Sequence, residues 1–172
     1  MDDHVFRLAS LADADEIVAL VNRAYRPAAS ERTWTHEADL IAGTRTSAEQ
    51  VRALLRPQSF VLLTCRGLEI LACVHLEISG SSAHIGMLAT RPDSQSQGLG
   101  KKMLEQAEHY ARQDFRVESF EVSVISARTE LLSFYERRGY ARSGVRSPYP
   151  VDRGVGQPLQ DGVTLELLSK TA

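Results

Sequence analysis

The chain alternates between two hydrophobic patterns, the continuous β-branched runs of strands and the i, i+4 spacing of helices. Leu99, Met103, Ala107 and Ala111 recur at helical spacing and predict one long amphipathic helix that reaches Phe115. The strand-like runs are bounded by Gly, Pro or Ser, which favour turns. They predict strands at Val5–Ala9, Ser59–Cys65, Leu68–Ile78, Ala83–Thr90, Ser119–Ile125, Tyr140–Arg146 and Val163–Leu168.

Two capping boxes predict where the first two helices begin. The segments Asp13-Ala-Asp-Glu16 and Ser47-Ala-Glu-Gln50 each place a side-chain acceptor at the N-cap and Glu or Gln three residues later. The first helix is expected to end at Arg26, before a proline, and the second before Pro57. Both segments should therefore be short helices that precede the main run of strands.

The order of the predicted elements indicates a mixed α/β fold. The stretch Ala28–Thr46 is expected to be an irregular loop or to contain a short helix near His36–Ala42. A last helix is predicted over Glu130–Arg138, with Gly139 as the residue that ends it. The unit Ala83–Ile125 is a strand, a glycine-rich turn, a long helix and a strand, so its two strands should be parallel neighbours.

Composition narrows the class of protein. The 172 residues, 43% of them hydrophobic, are consistent with one domain over 1–172. A net charge of −2 argues against nucleic acid as a partner. Cys65 and Cys73 have no ligand spacing, so buried reduced thiols and no metal are expected. No signal peptide and no run near the ~20 apolar residues of a membrane span is visible, so we expect a cytoplasmic protein without a membrane partner.

The segment Gln95-Ser-Gln-Gly98-Leu-Gly100-Lys101 lies between a predicted strand and the long helix. Glycines there let the backbone approach a ligand, and the free N–H groups of a helix N-terminus suit a pyrophosphate. A Rossmann fingerprint starting at Gly98 would need a small residue where Met103 stands, and a P-loop would need a hydroxyl residue after Lys101. An ordinary strand-to-helix turn is the remaining alternative from these residues alone.

The wider context resembles the GNAT superfamily of acetyl-CoA-dependent N-acetyltransferases. That family has a strand ending in hydrophobic-x-Pro, followed by Q/R-x-x-G-x-G/A at the start of a helix. The segment Leu131–Tyr140 is similar to its second signature, an apolar helix with a central Tyr followed by Gly-aromatic. The resemblance implies a mostly antiparallel sheet of six to seven strands with a central parallel crossover and helices on both faces. It implies a motif core at about 83–140 and acceptor-side helices at about 12–57.

The same resemblance implies acetyl-CoA as co-substrate and assigns residues to it. The splayed end of the strand before the motif would bind the pantetheine arm, and the glycine loop would bind the pyrophosphate. Arg128 occupies a position where many family members carry an Asn that contacts CoA. The implied cofactor-binding residues are Leu88, Ala89, Thr90, Gln95, Ser96, Gln97, Gly98, Leu99, Gly100, Lys101 and Arg128.

Tyr135 matches the family's general acid. A phenol with an ordinary pKa of about 10 is protonated at neutral pH and can donate to a departing thiolate. His84 is a candidate base on the strand before the motif, and Glu77 is a second candidate acting through water. Neither cysteine lies near the motifs in the sequence, so we expect direct attack by the amine in a ternary complex, without a covalent enzyme intermediate.

The acceptor is expected to be a small-molecule primary amine, such as an amino acid. The residues proposed to bind it are Tyr25, Trp34, Arg45, Glu77 and Tyr149, with Arg26 and the Ser147–Pro150 turn beside them. Arginines and aromatic rings together suit a molecule that bears a carboxylate. Three alternatives remain open: a non-catalytic acyl-CoA-binding module, acetylation of a protein or peptide amine, and a nucleotide-binding protein of another kind. The enzyme is expected to be a monomer or homodimer.

Overall fold

The structure is a computed structural model and describes residues 3–31, 36–95 and 97–172. The strands are β1 (His4–Leu8), β2 (Ile41–Ala42), β3 (Ser59–Arg66), β4 (Glu69–Ser79), β5 (Ser82–Thr90), β6 (Ser119–Ile125), β7 (Ala141–Pro148), β8 (Gln157–Pro158) and β9 (Thr164–Thr171). The α-helices are α1 (Ala14–Tyr25), α2 (Ala48–Leu54), α3 (Leu99–Phe115) and α4 (Thr129–Glu136). Within the described ranges, no helix is long and apolar enough to cross a membrane.

Seven strands form one sheet in the order β1-β3-β4-β5-β6-β9-β7. The pair β5–β6 is parallel, as the predicted crossover through α3 requires, and the other pairs are antiparallel. The two-residue strands β2 and β8 pair separately, with Ile41 opposite Pro158. The mixed fold and its mostly antiparallel sheet are therefore confirmed.

Helices cover both faces of the sheet, and each face has its own core. On one face, Leu99, Met103 and Leu104 of α3 pack with Phe134 of α4. On the other face, α1 and α2 bury a second cluster that includes Ile17 and Val51. The long central strands are apolar on both sides because both sides are covered.

A bulge in β5 lies next to the point where β5 and β6 separate. Cys73 of β4 lies opposite Ala89, but His75 lies opposite Gly86, so β5 carries one extra residue, and Met87 takes a positive φ of 49°. Pairing between β5 and β6 ends at Ile85 opposite Val122. Beyond this pair the two strands continue without a shared ladder, which leaves a gap in the middle of the sheet.

The predicted start of α1 after Asp13 is confirmed, but the capping box expected there is not formed, and one of the two alternatives for Ala28–Thr46 fails. The capping box at the start of the first helix lies three residues earlier, between Ser10 and Asp13, because Asp13 accepts from the Ser10 backbone at 2.7 Å. Glu16 instead accepts from the backbone N–H of Ile70 at 3.0 Å, a contact distant in sequence. The alternative of a short helix near His36–Ala42 fails because Ile41 and Ala42 pair with β8. The second box, Ser47 with Gln50, is confirmed.

Candidate active site

The glycine loop joins β5 to α3 beside the gap in the sheet. Gly98 caps α3 with φ of +73°, a conformation that L side chains rarely adopt. The Gln95 amide donates to the Thr90 carbonyl at 3.4 Å, which ties the loop to the end of β5. The first N–H groups of α3 have no acceptor within the helix, so they could bind an anion placed beside the loop.

A first cavity of about 590 Å³ lies against this loop. Its wall is formed by the end of β5, the start of α3 and one side of α4. Phe134 and Arg138 belong to α4 and the turn after it, and the Arg138 guanidinium lies 3.7 Å from the Phe134 ring centre. The predicted cofactor residues on this wall are Leu88, Thr90, Gln95, Gly98, Leu99, Gly100, Lys101 and Arg128.

Two further predicted cofactor residues, Ala89 and Gln97, do not line this wall. Ala89 is buried in the core beneath α1 and does not line either large cavity. Gln97 is exposed and is also not part of a cavity wall. Ser96 and the predicted acceptor residue Trp34 lie outside the described residues.

A second cavity of about 720 Å³ lies on the opposite side of the gap. Its floor is formed by β4, β5, β6 and β9, and its roof by the loops around Arg45 and Tyr149. Of the described residues, four line both cavities: Tyr25, Arg128, Leu131 and Tyr135. A donor molecule in one cavity and an acceptor in the other would therefore meet at these side chains.

Tyr135 stands at the junction on α4. Its ring packs edge-on against Phe134 at 5.2 Å and Tyr140 at 5.5 Å, which fixes its orientation. Burial raises the pKa of the Tyr135 hydroxyl above its ordinary value. Because the group keeps its proton throughout the neutral range, it can serve as an acid and not as a base.

Tyr25 reaches the same junction from the end of α1. Its hydroxyl donates to the carbonyl of Leu88 at 2.8 Å, so it supports the splayed end of β5. Burial raises the pKa of Tyr25 to about 12. Its hydroxyl proton is used in the hydrogen bond to the Leu88 carbonyl, and the residue forms part of both cavity walls.

His84 lies on the floor of the second cavity, with Glu77 of β4 and Glu121 of β6 opposite it on the neighbouring strands. Its Nε2 lies 4.0 Å from the position a Cβ would take at Gly86, so the ring leans along β5 toward the bulge. Burial lowers the pKa of His84, which keeps the ring neutral at pH 7. Glu77 is an ion-pair partner of Arg56 at 2.5 Å, and this pairing lowers the pKa of the carboxyl.

The roof of the second cavity is held by Arg26. Its guanidinium donates to the carbonyls of Gly43 at 2.8 Å and Val155 at 2.7 Å, and to the hydroxyl of Tyr149 at 3.1 Å. It also pairs with Glu37 at 3.4 Å. Tyr149 is 8% exposed, and its hydroxyl donates to the Val155 carbonyl at 2.9 Å. Arg26 thus joins the loop after α1 to the loop after β7.

The cysteines are buried and free, as expected, but Cys73 is close to the site in space. It lies opposite Ala89, and its thiol donates to the carbonyl of Met87 at 3.7 Å. The expectation that neither cysteine is near the motifs holds in the sequence and is wrong in the fold. Burial raises the pKa of Cys73 to about 12, so the thiol is protonated and a poor nucleophile.

Several wall residues were not found from the sequence. Glu37, Arg153 and Val155 line the second cavity from loops that carry no motif. Leu165 and Leu167 enter it from β9, where their spacing predicts only a strand. Phe134 and Arg138 are four residues apart at the end of a helix, and this spacing was the one available signal for their stacking.

The splayed strands, the glycine loop at a helix N-terminus and the junction tyrosine are the features of an acetyltransferase that uses acetyl-CoA. Residues 15–140 match the family model "Acetyltransferase (GNAT) family". The chain belongs to this family and is an acetyl-CoA-dependent N-acetyltransferase.

Known proteins resemble the chain in sequence and in fold. The S-alkylcysteine N-acetyltransferase of Bacillus subtilis (strain 168) is 27% identical over 150 residues, which span 81% of this chain and 80% of that protein. The ribosomal-protein-S18-alanine N-acetyltransferase of Escherichia coli has a TM-score of 0.74 at 15% identity, covering 98% of this chain and 93% of that one.

A GNAT family acetyltransferase from Elizabethkingia anophelis, solved with acetyl-CoA bound, has a TM-score of 0.68 at 17% identity over 100% of both chains. At these identities the solved structures establish the fold alone.

Proposed function

We propose that this enzyme transfers the acetyl group of acetyl-CoA to the primary amine of a small molecule of the amino-acid class, by direct attack in a ternary complex. The main observation in support of this proposal is that the two cavities meet at Tyr135 and Arg128. A donor cavity and an acceptor cavity that touch only at a junction suit a reaction in which both substrates are bound together. The residues 1–172 would act as one acetyltransferase domain, with a motif core at about 83–140 and acceptor helices at about 12–57.

The donor would lie in the first cavity. Backbone groups at the end of β5 would bind the pantetheine arm, and the N-terminus of α3 with Gly98 and Gly100 would bind the pyrophosphate. A Cβ at Gly100 would lie 3.9 Å from both Phe134 and Thr90, at ordinary contact distance, so this position is on the cavity wall between α4 and the end of β5. The thioester would then reach the junction near Tyr135.

The chemistry requires two proton transfers. The amine nitrogen forms a bond to the thioester carbon, and His84 accepts the proton that the nitrogen loses. The carbon–sulfur bond then breaks, and Tyr135 gives its proton to the departing sulfur, so that CoA leaves as the thiol. The proton on His84 returns to solvent and the Tyr135 phenolate is reprotonated, which restores the enzyme.

The acceptor class is supported by the second cavity and by one relative. Trp34, Arg45, Glu77 and Tyr149 are the residues proposed to contact the acceptor, with Tyr25 at the junction. S-alkylcysteine, named for the Bacillus subtilis protein, is an α-amino acid with an apolar side chain. The apolar residues Leu165 and Leu167 on the cavity floor suit such a side chain. The enzyme would work in the cytoplasm, as a monomer or a homodimer.

Thiol release tests this proposal. Incubated with acetyl-CoA and a panel of amino acids, S-alkylcysteines, polyamines and short peptides, the protein should release CoA thiol fastest with the amino acids. The substitution Tyr135→Phe should lower kcat by about 100-fold, the low end for a lost general acid, with unchanged affinity for acetyl-CoA. Tyr110→Phe is the matched control, because Tyr110 packs against Phe60 and Phe115, outside both cavity walls.

Three results would contradict parts of the proposal. Tight CoA binding without thiol release over the whole panel would indicate a non-catalytic acyl-CoA-binding module. Faster turnover with peptides than with amino acids would assign a peptide acceptor. Unchanged kcat in Tyr135→Phe would remove Tyr135 from the reaction.

A further inference from the structure

The charged side chains around the acceptor cavity differ in whether they have an ion-pair partner. Its two acidic wall residues are both paired with arginines that lie outside the wall: Glu37 with Arg26 at 3.4 Å, and Glu77 with Arg56 at 2.5 Å. Within the described ranges, Arg45 forms no ion pair with a carboxylate within 4.0 Å. The wall also carries Arg128 and Arg153, and Arg45 is the wall arginine that lies over the Tyr25 ring without a carboxylate partner.

Arg45 is held in place by α1. The Asn22 side chain accepts from the backbone N–H of Arg45 at 2.8 Å and of Thr46 at 3.0 Å, and donates to the Thr46 carbonyl at 3.0 Å. The Arg45 guanidinium lies 5.6 Å from the centre of the Tyr25 ring. These contacts fix the residue without using up its planar set of donors, which match a carboxylate in two parallel hydrogen bonds.

The position of Arg45 relative to the junction defines the kind of acceptor. Tyr25, on whose ring Arg45 lies, is one of the four residues shared by the two cavities. An amine placed at this junction would have Arg45 close by on the acceptor side. In an α-amino acid the amine and the carboxylate are attached to one carbon, so the carboxylate would lie beside the amine and within reach of Arg45.

We propose that Arg45 binds the α-carboxylate of the acceptor and thereby selects α-amino acids over other primary amines, with Asn22 as the residue that positions it. This inference rests on the proposed function and deepens it, because it names the group by which the acceptor is recognised. A site that pairs a half-buried arginine with a carboxylate discriminates against a molecule that lacks the carboxylate.

The experiment compares one acceptor with and without its charge. Turnover of S-methyl-L-cysteine and of its carboxamide is measured for the wild-type protein, for Arg45→Gln and for Arg45→Lys. Arg45→Gln should lower kcat/KM for the acid by about 30-fold, in the range of a charge-assisted hydrogen bond, and leave the amide within about twofold. Arg45→Lys keeps the positive charge but lacks the planar pair of N–H donors. Its loss of kcat/KM for the acid should therefore be smaller than that of Arg45→Gln and larger than about twofold. Each effect is expressed as the ratio of kcat/KM in the variant to kcat/KM in the wild type for the same acceptor. The difference between the amine pKa values of the two acceptors therefore does not enter the comparison.

Arg52→Gln is the matched control, because Arg52 pairs with Asp15 at 3.6 Å on the exposed side of α2 and lies outside both cavity walls. It should leave both acceptors unchanged. Asn22→Ala should show a weaker form of the same acid-selective loss. Thermal unfolding of each variant separates this loss from damage to the fold.

Equal losses for the acid and the amide in Arg45→Gln would overturn the inference, as would no loss for either. Calorimetric titration of the same two ligands into the CoA-bound protein measures recognition without turnover. If the wild type released no thiol with any amine, the proposed function would fail. Carboxylate-dependent binding lost in Arg45→Gln would then still support the role of Arg45, and its absence would refute that role.

Discussion

The donor side and the acceptor side of the site differ in how far apart their residues lie in the sequence. Among the residues that the structure describes, the wall of the first cavity comes from residues 88–101 and 128–138, joined by Tyr25 from elsewhere. Among the described residues, the wall of the second is gathered from residues 25 to 167, from two α-helices, five strands and the loops between them. A contiguous motif can bind a ligand that all family members share, whereas a wall made of distant loops can change with the acceptor.

The acceptor side also depends on hydrogen bonds between loops, made by Gln50, Arg26 and the β2–β8 pair, which we call the clasp. The Gln50 side chain donates to the carbonyls of Arg153 at 2.9 Å and Gly154 at 3.1 Å, and β2 pairs with β8. Arg26 adds its bonds to Gly43 and Val155. If this difference between the two sides is correct, substitutions in each should affect different kinetic constants.

The largest effect is expected at His84 on the acceptor side. Replacement by Gln should lower kcat by about 100-fold if His84 accepts the amine proton, without changing affinity for acetyl-CoA. In the wild type, kcat/KM should fall gradually as the acceptor amine becomes protonated, and a second, steeper fall should begin only below the ordinary histidine pKa of about 6.5, because burial lowers the pKa of His84. A pH–rate profile with a fixed acceptor measures this.

The exposed His109 of α3 provides the control, and His109→Gln should leave the profile unchanged. A His84→Gln variant that keeps the acidic limb of the wild-type profile would exclude His84 as the base.

The next effect is expected at Gly156 in the clasp. This residue has φ of +109°, and a Cβ there would lie 2.5 Å from Arg26 Nη1 and 2.6 Å from the Ala42 carbonyl. Gly156→Ala should raise the acceptor KM by about tenfold and destabilise the fold by about 1–3 kcal/mol, as overpacking does, with unchanged acetyl-CoA affinity.

Gly162→Ala separates crowding from backbone strain, since Gly162 has φ of +79° and nothing within 4 Å of its Cβ position. Steady-state kinetics and thermal unfolding should show the KM effect in Gly156→Ala only. A loss of acetyl-CoA affinity in that variant would contradict the separation of the two sides.

A smaller effect is expected at Tyr25, the residue of α1 that supports the donor side. Tyr25→Phe removes the 2.8 Å hydrogen bond to the Leu88 carbonyl and leaves the ring in place. The KM for acetyl-CoA should rise by about 2–10-fold, the range of one neutral hydrogen bond. Tyr110→Phe again serves as the control, and a change confined to the acceptor KM would show that Tyr25 acts on the other side.

The smallest effect is expected at Lys101, although it lies in the glycine loop. Its side chain is 58% exposed and pairs with Glu105 at 3.9 Å, so solvent screens its charge. Lys101→Ala should change the KM for acetyl-CoA by less than about threefold, because the loop binds through backbone groups. A rise well above tenfold, measured at low and at physiological salt, would show that the side chain itself binds a phosphate.

The elements with strong local signals were predictable. The helix Leu99–Phe115 and the strand Ser119–Ile125 were found with their observed bounds, because hydrophobic period and flanking turns determine them locally. The start of α1 after Asp13 was found, but the capping box that predicted it is not formed, because Glu16 is used by Ile70, which lies far away in the sequence. The pairing of Ile41 with Pro158 was not visible either, since a two-residue strand has no periodicity.

The sequence by itself determined the fold class, because the order of helical and strand patterns along the chain is visible without contacts. It also determined the glycine loop and the position of Tyr135, because each depends on residues within one short segment. Only the tertiary structure decided that Tyr25 supports Leu88 and that Arg26 holds the roof of the acceptor cavity. It also decided that Glu37 and Glu77 are neutralised while Arg45 keeps its charge available. The physical reason is that the charge balance of a cavity depends on which distant side chains come within hydrogen-bonding distance, and no local pattern in the chain encodes those distances.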